Sequence, residues 1–541
     1  MKRFFIVLII VSMPLWAVLE AAESYYFYVQ LSDKKNSPYS VNNPQEYLSA
    51  RAIERRNAFQ ISCDSTDLPV NQQYVDQITA LGVTVHNRSK WLNGVTVLTT
   101  DSSVMAQVRL LPCVRWARYT GKTGTISGVR SKSRESVNNF DYGLSATQIN
   151  QINGTYLHNQ GYTGKGIVVG VLDGGFYKAD VNPGFDSLRL QGRLLGVKDM
   201  ILSGNNVYAE NYHGANVLSI MTGNKPGSHV GTAPHASFWL IRTEYDPSEY
   251  VVETDFWVSG IEFADSVGVD VVNSSLGYTT FDDPTMNYSY ADMNGKVSRA
   301  SIAAGLAAGK GIIVCNSAGN EGNKAWYYIG APADADGILA IGAVTATGAA
   351  SSFTSYGPAA DGRVKPDVSA MGTLTSYVNP DGETTTGNGT SYSSPVVAGM
   401  MACLLQYIKA NYQAASVSEI LQSVRESASL YQTPNARLGY GIPDFQKAAS
   451  IFSLSHLKRV DDNLLEACYN PVSKNIDIQL AAVLTATDCL VRLYSVSGAE
   501  LMVTKLSAQK TSLPAQGLSA GVYILRLQTG QRSTARKLII Q

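Results

Sequence analysis

Gly389-Thr390-Ser391-Tyr392-Ser393-Ser394-Pro395 leads into an apolar run from Val396 to Tyr407, and this junction decides the fold. Proline is tolerated in the first turn of a helix, where its missing N–H would have no partner. Val396, Val397, Ala398, Met400, Met401, Leu404 and Leu405 make the run beyond it apolar nearly all round, as in a buried helix. The junction therefore predicts that Ser391 sits where a glycine-containing loop enters a core helix, facing unpaired N–H groups and the positive end of the helix dipole. Alone, the stretch reads equally well as an ordinary Ser/Thr cap.

Two upstream stretches change that balance. Ile167-Val168-Val169-Gly170-Val171-Leu172 reads as a buried parallel strand ending in Asp173-Gly174-Gly175. Functional groups of open α/β sheets collect at that carboxyl edge. His213-Gly214 opens a second apolar helical segment, Ala215 to Met221. An Asp, a His and a Ser, each at the edge of an apolar element and each close to glycine, are hard to explain separately.

In that chain order, Asp173, His213 and Ser391 resemble the triad of the subtilisin-like serine proteases. Ile312-Ile313-Val314-Cys315-Asn316-Ser317-Ala318-Gly319-Asn320-Glu321-Gly322 resembles the family's strand and oxyanion-hole loop, with Asn320 as donor. Val271-Val272-Asn273-Ser274-Ser275-Leu276-Gly277 resembles the strand that lines the substrate cleft. The resemblance spans roughly residues 145 to 450. It implies a serine endopeptidase whose substrate-binding residues are Ser275, Leu276, Gly277, Ala318, Gly319 and Gly330. Their lack of charge suits a large apolar P1 side chain. Three motifs depart from the family pattern: Gly174 for Ser or Thr, Ala215-Asn216 for Thr-His, and Tyr392 for Met. None removes a reacting atom. The competing reading is a non-catalytic surface binding or adhesion protein on a subtilase fold.

A chain of 541 residues exceeds one ordinary core. Its 43 basic and 43 acidic residues cancel, which argues against nucleic acid as a charge-driven partner. Hydrophobic content of 45% belongs to a globular protein rather than a disordered one. Residues 1–22, with Lys2 and Arg3 before a short apolar run, read as a signal peptide; the alternative is an uncleaved anchor. Export permits disulfides, but Cys315 and Cys403 lie in apolar strand and helix contexts and read as buried thiols.

Residues 23–120 carry a small α+β pattern that looks like a subtilase pro-region, with a permanent N-terminal binding domain as the alternative. Residues 121–147 form a linker in which Arg130, Lys132 and Arg134 stand without an acid. Residues 148–455 alternate strands and helices, which predicts a parallel sheet covered on both faces. In residues 463–541, runs such as Asn475–Leu480 and Gly521–Leu527 alternate with period two and predict an antiparallel β-sandwich. Asn470-Pro471-Val472, Leu518-Ser519-Ala520-Gly521-Val522-Tyr523 and Lys537-Leu538-Ile539-Ile540 resemble the sorting domain of type IX secretion cargo; the alternative is a carbohydrate-binding or adhesive sandwich.

The expected fold is thus α/β, a subtilisin-like parallel sheet with helices on both faces, flanked by an α+β pro-domain and a β-sandwich. The expected partners are polypeptide substrates and, through the C-terminal domain, secretion machinery; a monomer is expected. No cofactor is required for the chemistry. Structural calcium is open, because Asn224-Lys225-Pro226-Gly227 puts a cation where the ion would want oxygen ligands.

Overall fold

The computed structural model describes residues 23–123, 141–412, 415–457, 464–481, 484, 486, 489–529 and 532–540. The expected signal peptide lies outside them, as do residues 124–140 of the expected linker.

Seven parallel strands form the central sheet, in the spatial order Val368–Met371, Leu339–Val344, Ile313–Ser317, Val271–Ser274, Val168–Asp173, Ser237–Arg242, Leu194–Asp199. The two edge strands, Leu194–Asp199 and Val368–Met371, are not anticipated by the sequence. Alternation of side chains splits the core into two layers. Val169 and Val171 face a cluster built with the helices His213–Thr222, Thr390–Asn411, Val417–Ser427 and Phe445–Leu457. Val168 and Leu172 face a second cluster built with Val252–Val267 and Arg299–Gly309. After Val168–Asp173 the chain builds the sheet to one side, then crosses back through Val271–Ser274 to build the other. Asp173 and Ser274 therefore end adjacent strands at a topological switch point, where α/β sheets open a crevice.

The helix Thr390–Asn411 crosses beneath this crevice. It begins earlier than the sequence suggests, and Pro395 lies inside it rather than in its first turn. A proline there leaves the carbonyl four residues earlier without its helical N–H. That carbonyl belongs to Ser391, and it accepts from Ser275 Oγ at 3.0 Å instead. Met400, Met401, Leu404 and Leu405 are fully buried, each worth about 1.5–3 kcal/mol relative to exposure, so packing fixes the helix despite the irregular start.

The N-terminal unit has an antiparallel sheet in the order Thr84–Ser89, Gly94–Thr99, Tyr25–Leu31, Val114–Lys122. Its last strand continues past the expected boundary at residue 120. Pro44–Glu46 is a short 3₁₀ turn, and the helix Ala50–Ala58 follows it, its start capped by Ser49. Toward the C-terminus, a three-stranded and a four-stranded antiparallel sheet enclose one apolar core that includes Ile476, Ile478, Val491, Leu493, Leu525 and Leu538. Cys63, Cys113, Cys315, Cys403 and Cys468 are free thiols, with Cys315 and Cys403 buried as expected.

Candidate active site

Asp173 is the last residue of its strand and is 1% exposed. His213 is the first residue of its helix, and the helix approaches the strand closely because residue 214 has no side chain. A Cβ at Gly214 would lie 2.4 Å from Gly175 O and 2.8 Å from Asp173 Cβ. At this approach His213 Nδ1 lies 2.9 Å from Asp173 Oδ1 and 3.1 Å from Oδ2. A carboxylate only accepts, so Nδ1 carries the proton and donates, which leaves Nε2 as the free base. Gly174 supplies no hydroxyl to the carboxylate; its backbone N–H donates to Asp173 Oδ1 at 2.8 Å. The His213 N–H donates to Asn211 Oδ1 at 2.7 Å, and the Asn211 amide donates in turn to Asp246.

Burial alone would lower the His213 pKa, but Asp173 beside it, with Asp246 and Glu244 farther off, raises it above the ordinary histidine value. Glu244, Glu249 and Glu253 form the one group of metal-ligand spacing among the described residues. Burial pushes Glu244 up to about 7 and, with repulsion from Glu244 and Asp282, Glu249 up to about 8. The group therefore holds protons near neutral pH. In the loop after the histidine helix, Lys225 Nζ donates to Gly382 O, so the loop offers a cation rather than oxygen ligands.

Ser391 is the second residue of the long helix, and its hydroxyl donates to Ser275 O at 3.3 Å. Ser394 Oγ donates to Asn273 Oδ1 at 2.8 Å, and Asn273 Nδ2 donates to Ser275 Oγ at 3.1 Å. These bonds tie the helix start to the end of Val271–Ser274. Asn320 comes to the same place from the next strand. Its Oδ1 accepts from Thr390 N at 2.8 Å and from Thr390 Oγ1 at 3.0 Å. With the oxygen held, the amide nitrogen points the other way. Gly389, at φ 153°, leaves the space in front of it open: a Cβ there would lie 3.7 Å from Ser391 N and 3.8 Å from Asn320 Nδ2. The Ser391 nitrogen and the Asn320 amide nitrogen thus border the same small gap at Gly389, with the Tyr392 ring on its third side.

The expected substrate-binding residues also meet. Tyr278 N donates to Ala331 O at 2.7 Å and Ala331 N to Tyr278 O at 3.1 Å, joining the Ser275–Gly277 segment to Gly330. Gly319 N donates to Thr390 Oγ1 at 3.2 Å, and Ala318 is fully buried beside it. At Gly330 a Cβ would come 2.9 Å from Thr279 Cγ2, so the missing side chain makes room for Thr279. Thr390, Asn211 and Asn273 hold the site together, yet the sequence reading assigns them no part. Two of the departures from the family pattern prove to be neighbours: Asn216 Nδ2 donates to Tyr392 OH at 3.5 Å, and the Tyr392 ring stacks on Tyr377 at 5.1 Å.

Family comparisons agree with this architecture. Residues 164–441 match the subtilase family, residues 26–139 the peptidase S8 propeptide domain of Bacteroidota, and residues 469–541 a secretion system C-terminal sorting domain. Subtilisin NAT of Bacillus subtilis subsp. natto is 28% identical over 377 residues, covering 69% of this chain and 85% of its own. Subtilisin of Bacillus pumilus is 30% identical over 304 residues, covering 56% of this chain and 97% of its own. Among solved structures, the prenylagaramide maturation protease PagA matches at a TM-score of 0.44 and 21% identity, over 55% of this chain and 98% of that one. The sorting domain points to export, to the cell surface or the medium. No helix among the described residues is long and apolar enough to cross a membrane. The chain belongs to the subtilase family, and it is a serine endopeptidase made with a propeptide and a C-terminal sorting domain.

Proposed function

We propose that the protein cleaves peptide bonds with Ser391 as nucleophile, His213 as general base and then acid, Asp173 as the group that orients it, and Asn320 with the Ser391 N–H as oxyanion donors. The observation that carries this reading is the pairing of His213 Nδ1 with Asp173 Oδ1 at 2.9 Å, with the Ser391 and Asn320 amide nitrogens bordering one gap, 3.7 and 3.8 Å from where a Gly389 Cβ would stand. A serine hydroxyl is a weak nucleophile until a base takes its proton. On this reading the Ser391 hydroxyl gives up its bond to Ser275 O and donates to His213 Nε2 before attack. Attack on the scissile carbonyl then moves the proton to Nε2 and the negative charge to the carbonyl oxygen, within reach of the two donors. Collapse of that intermediate sends the proton from Nε2 to the departing amine and leaves an acyl group on Ser391. Water, activated by the same base, releases it.

The substrate is an extended polypeptide that pairs with the backbone of Ser275 to Gly277 as an added strand. The uncharged Leu276, Ala318, Gly319 and Gly330 suit an apolar P1 side chain. The residues cited carry the reaction without a cofactor, and the C-terminal sandwich is the part that secretion machinery recognises.

A fluorophosphonate probe tests the assignment. Wild-type protein should be labelled at Ser391, and Ser391→Ala should lose both labelling and turnover of a peptide substrate. The expected loss in kcat is about 10⁶-fold, a magnitude carried over from subtilisin. A Ser391→Ala protein that is still labelled would overturn it.

A further inference from the structure

The cleft that the proposed substrate enters has a charged wall as well as an uncharged one. Strand order separates the two. Gly319 follows Ile313–Ser317, on one side of Val271–Ser274, while Asp173 ends the strand on the other side. The next strand out, Ser237–Arg242, leads into Thr243 and Glu244. Thr243 donates its N–H to Asp173 O at 3.0 Å. A Cβ on Gly174 would lie 3.5 Å from Glu244 Cβ and 3.2 Å from Asp246 Oδ1. Tyr278, the residue after Gly277, is fully buried, and its hydroxyl donates to Glu244. Glu249 and Glu253 complete the group, with the three carboxyls within 4.8 Å of one another. The acids therefore run from the edge of the triad to the end of the segment that pairs with substrate.

No cation of the protein meets them. Among the described residues no Lys or Arg forms an ion pair with Glu244, Asp246, Glu249 or Glu253; Arg242, which ends the same strand, is spent on Asp199 at 3.0 Å and Glu210 at 3.1 Å. Glu253 is only 2% exposed, and among the described residues no donor from outside the group reaches its carboxyl. Burial, with repulsion from Glu244 and Glu249, holds it well above the ordinary carboxylate range. Asp282 adds another acid at the rim, where it accepts from the Glu249 N–H at 3.1 Å. Acids crowded away from water cost free energy unless something of opposite charge meets them. In a cleft for polypeptide, a cationic side chain would do so and displace the protons that the carboxyls otherwise hold.

Alternation decides which side chain that is. In an extended substrate P1 and P3 turn one way, P2 and P4 the other. With P1 toward Gly319 and Gly330, P2 and P4 turn toward Glu244 and its neighbours.

We infer that Glu244, Glu249 and Glu253 form a subsite for a lysine or arginine side chain at P2 or P4, so that the substrates are basic polypeptides cut after an uncharged residue. This rests on the cleft assignment made above.

Binding of a fluorescein-labelled hexapeptide, Lys-Ala-Lys-Leu-Ser-Ala, to full-length Ser391→Ala protein tests it without turnover. A second peptide carries norleucine, which is uncharged, in place of both lysines. By fluorescence anisotropy the lysine peptide should bind about tenfold more tightly, and combining Glu249→Gln with Glu253→Gln should bring the two within about threefold. These exchanges remove like charges at nearly constant size. Should the double variant not fold, Glu249→Gln alone, at the half-buried position, should narrow the ratio measurably. Equal binding of the two peptides, or a preference that survives the exchanges in whichever variant folds, would overturn the inference. So would calorimetric binding of Ca²⁺ that the exchanges abolish, without any lysine preference, since the group would then serve a metal. Labelling of the wild-type protein by the fluorophosphonate probe reports on the nucleophile separately, so a failed triad and a failed subsite give different results.

Discussion

The two edges of the central sheet are built on opposite principles. At the carboxyl edge, hydrogen-bonding capacity is left unspent: among the described residues no acceptor meets the Ser391 N–H or the Asn320 amide nitrogen, and His213 Nε2 has no donor. At the amino edge the charges are spent on one another. Asp265 meets Arg55, Arg56 and Lys90, while Asp270 meets Arg51 and Lys409 and accepts from Val168 N at 2.9 Å. Unpaired donors cost free energy unless they face solvent or a ligand. A fold can carry them at one edge when the rest of the sheet is held firmly, and the buried pairs at the far edge help to hold it. The edge for chemistry is waiting for a partner; the edge for assembly already has one.

The largest expected effect lies at the assembly edge. Asp265→Ala would leave Arg55, Arg56 and Lys90 around an empty, buried position. Breaking one side of a buried pair typically costs about 3–5 kcal/mol. Thermal or denaturant unfolding of the full chain should show that loss, while kcat of the folded enzyme stays within about twofold. Unchanged stability would mean that water screens these pairs and that the contrast between the edges is only geometric.

Next comes Asn320→Ala at the open edge. If Asn320 is the oxyanion donor proposed above, its loss should lower kcat by roughly 10²–10³-fold with KM nearly unchanged, a magnitude taken from subtilisin. Asn320 has a second task, since its Oδ1 holds Thr390. Asn320→Asp keeps an acceptor for Thr390 and removes the donor. If catalysis is the main role, both variants lose kcat and Asn320→Asp keeps the parent melting temperature. Wild-type kcat in Asn320→Ala would show that the donor does not act.

The open edge was legible in the sequence and the paired edge was not. Asp173, His213, Asn320 and Ser391 each end or begin an apolar run beside a glycine, so local pattern reaches them. Arg55 and Arg56 look like the solvated face of a short helix. In the structure they are 2% and 1% exposed, more deeply buried than their apolar neighbour Ile53. Their partner Asp265 lies about two hundred residues away, and no local periodicity reports such a pairing. The start of the long helix was misread for a similar reason. A proline six residues into a helix looks like a beginning until Ser275, from another strand, satisfies the carbonyl that it frees. The contact of Asn216 with Tyr392 likewise joins two positions that look like unrelated departures when read along the chain.

The smallest effect concerns the acid side of the open edge. In the proposed mechanism His213 must be neutral at Nε2 to accept the Ser391 proton, so kcat/KM should rise with pH through the histidine pKa and level off above it. Burial pulls that pKa down, but Asp173, followed by Asp246 and Glu244, pushes it up by more, so the rising limb should lie above the ordinary histidine value of about 6.5. Below the limb each pH unit should cost about tenfold, because the imidazolium cannot take a proton. Asp173→Asn is a poor probe of this, since it also loses the tautomer that exposes Nε2. Asp246→Asn is better: it removes one negative charge near the ring and keeps an acceptor for Asn211. The limb should then move to lower pH while the plateau kcat stays close to wild type. A lower plateau with an unmoved limb would mean that Asp246 works only through Asn211 and the His213 backbone, and that the carboxylates around this edge orient the histidine without setting its charge.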